Sequence, residues 1–144
     1  MFKVNFKAQT NIHSTPERIW QIITSNQQYQ DWNTFTPYAE IEWDLGGKVI
    51  LFVNMHPGKK PIVHRAHISI LEKNRKVSWK MNWGFLLKAE RTQSITELED
   101  GYCVYYTDDV NAGLLAPIVN LLYGKKITEG FKSIARSLKI RAES

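Results

Sequence analysis

Ile19-Trp20-Gln21-Ile22-Ile23, with Tyr29-Gln30-Asp31-Trp32-Asn33 close behind it, decides how this chain is read. The first segment predicts a short helix with a broad apolar face, ending near Ser25-Asn26. The second lies in a candidate second short helix over residues 27–33. Pro37 stops it, because the residue before a proline is pushed out of the helical region. Ser14-Thr15-Pro16-Glu17 supplies the start signal. Ser14 is the predicted N-cap, Pro16 fits the first turn and Glu17 completes a capping-box spacing. Further upstream, Phe2, Val4, Phe6, Ala8 and Ile12 alternate as a half-buried strand.

Downstream, the period changes to two. Strands are predicted over 38–43, 48–55, 62–71, 76–83, 87–98 and 102–111. Asp44-Leu45-Gly46-Gly47, Lys73-Asn74-Arg75 and Glu99-Asp100-Gly101 are the turns, and His56 to Pro61 is a loop at a hairpin tip. Val77, Trp79, Met81 and Trp83 share one strand face. Connections this short predict an antiparallel meander. The chain closes on Leu115, Ile118, Val119, Leu122, Ile127, Phe131, Ile134, Ala135 and Leu138, which recur at three- and four-residue steps. That spacing predicts a helix from Gly113 to about Arg141, with Asn111 as a candidate cap and Pro117 confined to the first turn. Gly124 and Gly130 interrupt it, each at a cost of about 1 kcal/mol against alanine.

The expected fold class is α+β. A curved, seven-stranded antiparallel sheet surrounds a long C-terminal helix, with two short helices after the first strand. No linker, repeat or low-complexity run divides residues 1–144, so one domain is expected. The helix must lay an apolar face on the concave side of the sheet, and aromatic rims there can wall a hollow as readily as fill one. The run Leu114 to Tyr123 is apolar on more than one side. It could touch a membrane surface, helped by Lys125-Lys126. It is expected instead to pack on the sheet, with its second apolar side meeting the short helices.

Composition removes several classes. The hydrophobic fraction is 43% and the charged fraction 23%, which argues against bulk disorder. Residues 1–7 alternate and lack the continuous apolar core of a secretory signal, and no stretch is apolar for long enough to span a bilayer as a helix. A cytoplasmic location is the expectation. The single cysteine, Cys103, can form no internal disulfide and is expected to pack as a small apolar side chain. The net charge of +5 is scattered rather than arranged in a basic stripe with exposed aromatics, so no nucleic-acid partner is expected. Phosphate loops, nucleophile elbows and cysteine clusters are absent, and neither metal nor cofactor is implied. His64 and His67 fall on opposite faces of a strand, which prevents a shared metal.

At this point the residues resemble a known superfamily. Ser14-Thr15-Pro16-Glu17-Arg18-Ile19-Trp20, then Tyr29 and Trp32-Asn33, look like the opening of START-like helix-grip (SRPBCC) proteins. Gly46-Gly47-Lys48-Val49, Lys76-Val77-Ser78-Trp79, Gly113-Leu114-Leu115-Ala116-Pro117 and the ending Gly130-Phe131 through Ser137 to Glu143 fit the same pattern. The chain most resembles the polyketide cyclase/dehydrase-like and lipid-transport-like branch. The resemblance implies a sheet gripping the last helix around a cavity for apolar ligands, in carriers, sensors and cyclases alike. Two positions depart from it. Thr34 stands where relatives often have proline after Trp-Asn, and Asn111 stands where they often have an aromatic.

The residue faces then suggest a site. Arg91, Gln93 and Ile95 share one face of their strand. On the partner strand, Cys103, Tyr105, Thr107, Asp109 and Asn111 form one face and Tyr102, Val104, Tyr106, Asp108 and Val110 the other. The resemblance favours the first set as inward, while apolar content favours the second. With the first set inward, Arg91 and Asp109 could meet inside the grip, either as an anchor for a ligand carboxylate, phenol or enol, or as an internal salt bridge. The candidate ligand-binding set is Trp32, Phe35, His64, Trp79, Trp83, Arg91, Gln93, Tyr105 and Asp109, with Leu115, Val119 and Tyr123 on the helix. The expected function is binding of a small apolar ligand (a lipid, an aromatic or a polyketide-like compound). The alternative is a cyclase or dehydratase using Asp109 or His64 as acid–base. Nothing in the sequence sets the oligomeric state.

Overall fold

The computed structural model describes residues 2–144. Seven strands form one antiparallel sheet: β1 (Lys3–Ile12), β2 (Tyr38–Ile41), β3 (Lys48–Val53), β4 (Ile62–Glu72), β5 (Lys76–Asn82), β6 (Lys88–Glu97) and β7 (Cys103–Ala112). Their spatial order is β1-β7-β6-β5-β4-β3-β2, so the first strand closes beside the last and the rest is a meander. Helix α1 (Pro16–Thr24) and a 3₁₀ helix (Asn26–Asp31) lie between β1 and β2, and α2 (Ala116–Glu143) ends the fold. This is the α+β helix-grip architecture. A register shift between Ile68 and Ile70 marks a bulge, a feature that increases strand twist and bends the sheet.

Strand alternation sets what faces the helix. On β6, Ala89, Arg91, Gln93 and Ile95 are buried, and on β7, Cys103, Tyr105, Thr107 and Asn111 are buried. The inward face of β7 is therefore the more polar of the two, as the resemblance implied against the apolar count. Two expected caps change. Thr15, not Ser14, caps α1: its Oγ1 accepts the Arg18 backbone N–H at 3.1 Å, because Pro16 already occupies the first turn and places Thr15 at the boundary. Asn111 does not cap α2. It lies within β7, and its Nδ2 donates to Asp109 Oδ1 at 3.1 Å, while α2 starts after Leu115 without a side-chain cap.

The 28 residues of α2 make a rod about 42 Å long. Its second half is docked. Phe131 and Ile134 pack with Phe6 of β1. Ala135, Leu138 and Ala142 join Ile12 of β1 and Ile19, Trp20 and Ile23 of α1 in the main core. Each large apolar side chain buried there contributes about 2 kcal/mol. Polar ties add direction: Lys139 Nζ donates to the Asn11 carbonyl at 2.7 Å, and the His13 backbone N–H donates to Glu143 Oε2 at 2.8 Å. The first half behaves differently. Leu114, Ile118, Leu121 and Leu122 are exposed, so the second apolar side of that run does not meet the short helices. The short helices are taken up by the opposite end of α2, where Arg141 Nη2 donates to Gln28 Oε1 at 3.1 Å.

Gly130 permits a close approach at the middle of α2. A Cβ there would run into the ring of Phe35, whose Cγ, Cδ1 and Cε1 all crowd the position. The same ring stands edge-on to Phe131, with centroids 6.2 Å apart and planes at 89°. Gly130→Ala gains about 1 kcal/mol of helix propensity but forces Phe35 to move, and overpacking costs about 1–3 kcal/mol. Net destabilisation is expected as a lower midpoint in urea unfolding. A raised midpoint would show that the ring yields without cost.

Candidate functional site

The concave side of the sheet and α2 are joined at Ala116, which is buried with Met81, Leu87 and Ala89, and again from Phe131 onward, but part in the stretch between. Between them lies a cavity of about 570 Å³, within the range that takes a small ligand. Its sheet wall includes Leu51, Val53, His64, Trp79, Met81, Ala89, Arg91, Asp109 and Asn111. Its helix wall is Val119, Tyr123, Ile127 and Phe131, and Phe35 and Thr36 close one side. Trp83, Ile62 and Val63 line it while remaining exposed, so they stand at the mouth. Four residues expected in the wall lie outside it. Tyr105 is fully buried in the core and donates its hydroxyl to Gln93 Oε1 at 2.5 Å. Gln93 and Trp32 edge a separate small pocket, and Leu115 packs beside Met81, Leu87 and Ala116.

Sequence reading left out Thr36, Met81, Ile127 and Phe131; Asn111 was placed on the inward face but not in the candidate set. Met81 shares a strand face with Trp79, and Ile127 and Phe131 belong to the helical repeat. Those signals were present. What the pattern could not supply was which rows of apolar side chains stay uncovered.

Strand register builds the polar part. Trp79 on β5 pairs with Arg91 on β6, Arg91 with Asp109 on β7, and Asp109 with Phe6 on β1. A single row crossing four strands thus alternates ring, cation, carboxyl and ring. The guanidinium lies 4.4 Å from the Phe131 ring centre and 5.7 Å from that of Trp79. Both are within cation–π reach. Arg91 Nε donates to Thr107 Oγ1 at 3.1 Å, but Nη2 is buried without a hydrogen-bond partner. Arg91 and Asp109 make no ion pair among the described residues, although they are cross-strand neighbours. Asp109 spends its Oδ1 on Asn111 instead.

Charge states follow from this placement. Burial pushes the Asp109 carboxyl up to about 6; Arg91 opposes that shift, Asp108 adds to it and the Asn111 bond opposes it. Asp109 faces the cavity, so it is partly accessible to a small probe while protein surrounds it. Burial lowers the His64 imidazole below its usual range, and Arg91 lowers it further, so it is neutral at pH 7. No three His, Cys, Asp or Glu side chains converge among the described residues to hold a metal.

The carboxyl of Asp109 titrates near 3.8 in the unfolded chain and about 6 in the fold. The native state therefore holds the extra proton between those values, and stability falls as pH rises through that window. The loss is complete near pH 7, about one unit above the folded value, at about 3 kcal/mol by linkage. Asp109→Asn should remove this component. The stability difference between variant and wild type, read from urea unfolding, should shift in the variant's favour from about pH 4 to about pH 7 and level off above. A difference that stays flat across the window would contradict the assignment.

Comparisons were made at three levels. The family model for Activator of Hsp90 ATPase homolog 1-like protein matches residues 13–140. Curated protein sequences give no match. Among solved structures, a START superfamily protein from Mycobacterium smegmatis is 19% identical, with a TM-score of 0.72 over 96% of this chain and 97% of that one. A norcoclaurine synthase point mutant from Thalictrum flavum, bound to a transition-state analogue, is 11% identical with a TM-score of 0.72, covering 98% of this chain and 94% of that one. The di-domain ARO/CYC StfQ from the steffimycin biosynthetic pathway is 12% identical with a TM-score of 0.75. The match to StfQ takes in 98% of this chain but only 51% of the di-domain protein. At these identities the structural likeness is one of fold. The family match spans most of the chain, which therefore belongs to the Activator of Hsp90 ATPase homolog 1-like protein family and shares the helix-grip fold of these structures.

Proposed function

We propose that this protein binds a small apolar molecule with one acidic end, held between the sheet and α2, as a carrier or sensor. The observation that carries this reading is an unfilled, aromatic-walled cavity containing a buried guanidinium with a free N–H. A ligand burying about 300 Å² of apolar surface would gain roughly 7 kcal/mol from that burial, before the loss of rotational and translational freedom. A carboxylate or phenolate reaching Arg91 Nη2 would add a charge-assisted bond of about 1.5–3 kcal/mol and fix orientation. Trp79 and Phe131 already flank the cation, so the guanidinium has only to turn Nη2 toward the cavity to meet the anion. The helix-grip structures solved with small molecules lend analogy to this reading.

Titration calorimetry with dodecanoate and dodecanol tests it. Arg91→Met should weaken dodecanoate binding about 10- to 100-fold and leave dodecanol nearly unchanged. Equal losses for both probes, or no binding of either to the wild-type protein, would reject the anchor.

One observation favours a second reading. A carboxyl whose protonation changes near pH 6, in the same apolar cavity as a neutral imidazole, is suited to acid–base work. On that reading the protein is a cyclase- or dehydratase-type enzyme acting through Asp109 or His64. An Asp109→Ala/His64→Ala double variant should then lose turnover of an identified substrate while still binding it. Unchanged turnover would end the reading.

A further inference from the structure

We propose that the cavity mouth is a docking surface for an anionic lipid bilayer. This inference goes beyond ligand binding and would hold whether or not the cavity is filled. Three segments converge on the mouth: residues 54–66 between and within β3 and β4, residues 83–88 between β5 and β6, and residues 113–128 at the start of α2. Ile62, Trp83, Val119 and Tyr123 line the same opening, and the rings of His56 and Tyr123 stand 6.2 Å apart. The second and third segments are joined directly. Leu114 N–H donates to the Phe85 carbonyl at 3.2 Å and Leu115 N–H to the Leu86 carbonyl at 2.9 Å.

The rim so formed is apolar and uncovered. Trp83 is 59% exposed, Phe85 70%, Leu114 55%, Ile118 50%, Leu121 84% and Leu122 60%. Trp83 lines the opening, and Phe85, Leu114, Ile118, Leu121 and Leu122 stand on the two joined segments beside it. Single exposed leucines are ordinary on a soluble protein, but six large apolar side chains on adjoining segments mark a contact surface. Its charge identifies the partner. The three segments carry Lys59, Lys60, Arg65, Lys88, Lys125 and Lys126 and contain no Asp or Glu. A second copy of the chain docking by the same face would set these cations against themselves. An anionic headgroup layer accepts both elements at once: apolar side chains enter the acyl boundary and lysines reach the phosphates. Trp83 at the edge suits the interface, where an indole has one apolar body and one polar tip. No helix among the described residues is long and apolar enough to cross a membrane, so contact by this rim is peripheral.

Co-sedimentation with vesicles decides the matter, using an equimolar phosphatidylglycerol/phosphatidylcholine mixture and pure phosphatidylcholine. The protein should bind the anionic vesicles at least tenfold better than the neutral ones, and 0.5 M NaCl should weaken that binding, because exposed charges are screened. Leu121→Ser/Leu122→Ser should reduce binding at least tenfold, as should Lys125→Glu/Lys126→Glu. All four side chains point to solvent, and urea midpoints close to wild type would show that both variants fold. Failure to bind anionic vesicles at low salt would overturn the proposal, as would binding unaffected by both double substitutions. Light scattering separates the rival occupants in that event. A dimer abolished by Leu121→Ser/Leu122→Ser would assign the rim to a second copy, and a monomer would assign it to a protein partner. The vesicle assay reads the rim and the calorimetry reads the cavity, so either proposal can fail without the other.

Discussion

Everything distinctive about this protein depends on a helix fixed at both ends and held off the sheet between them. The rear of α2 is fixed by Phe131, Ile134, Ala135 and Leu138 against β1 and α1. The front is tied down as well: Ala116 is buried with Met81, Leu87 and Ala89, and Leu115 N–H donates to the Leu86 carbonyl. The hollow lies between these anchors, where Val119, Tyr123 and Ile127 face the sheet across open space. Filling it would need larger residues than Ala89 and Val119 at the facing positions. The strain-free solution is a space lined by carbon with a few polar atoms.

Within that space Arg91 poses the main electrostatic problem. A buried guanidinium normally takes a carboxylate partner, since an unpaired charge in low dielectric is costly. Here the adjacent Asp109 turns to Asn111, and burial raises its carboxyl to about 6, so ionisation is delayed. The cation is compensated instead by two aromatic faces and one hydroxyl. Such compensation is partial, which leaves Nη2 buried without a hydrogen-bond partner. The sites of α/β enzymes usually gather their polar groups on loops. In this chain they stand in mid-strand, so their spacing is set by the sheet rather than by loop conformation.

The sequence disclosed the architecture because two periods do different work in it. Alternation in Val77, Trp79 and Met81 and three-to-four spacing in Phe131, Ile134 and Leu138 survive any tertiary adjustment, as each describes one face of one element. Strand ends were less legible: β2 stops at Ile41 instead of Trp43, whose Nε1 donates to Asn26 Oδ1 across the gap at 3.0 Å. The wall of the cavity was legible only in part. Phe35, Trp79, Arg91 and Tyr123 carry strong local signals. Tyr105 has the same face as Asp109 and yet lies deeper, because the helix crosses above it. Periodicity assigns a face, whereas depth along that face depends on where another element passes. The exposure of Leu121 and Leu122 had only an ambiguous signal: the run from Leu114 to Tyr123 is apolar on more than one side, and the pattern does not say which side stays uncovered.

The stitching of the β5–β6 tip to the start of α2 has a mechanical consequence. Gly113 adopts φ 122°, and a Cβ there would strike the carbonyls of Phe85 and Leu86, so backbone presses on backbone at this corner. Together with the two hydrogen bonds beside it, that contact makes one jamb of the opening rigid. The facing β3–β4 tip has a fully exposed turn, His56 to Lys60, and its nearest tie to the helix is a tilted ring contact. The two sides of the opening therefore differ in compliance: on the proposed ligand-binding reading, a guest would widen the doorway by displacing the hairpin, while the frame on the helix side keeps its shape.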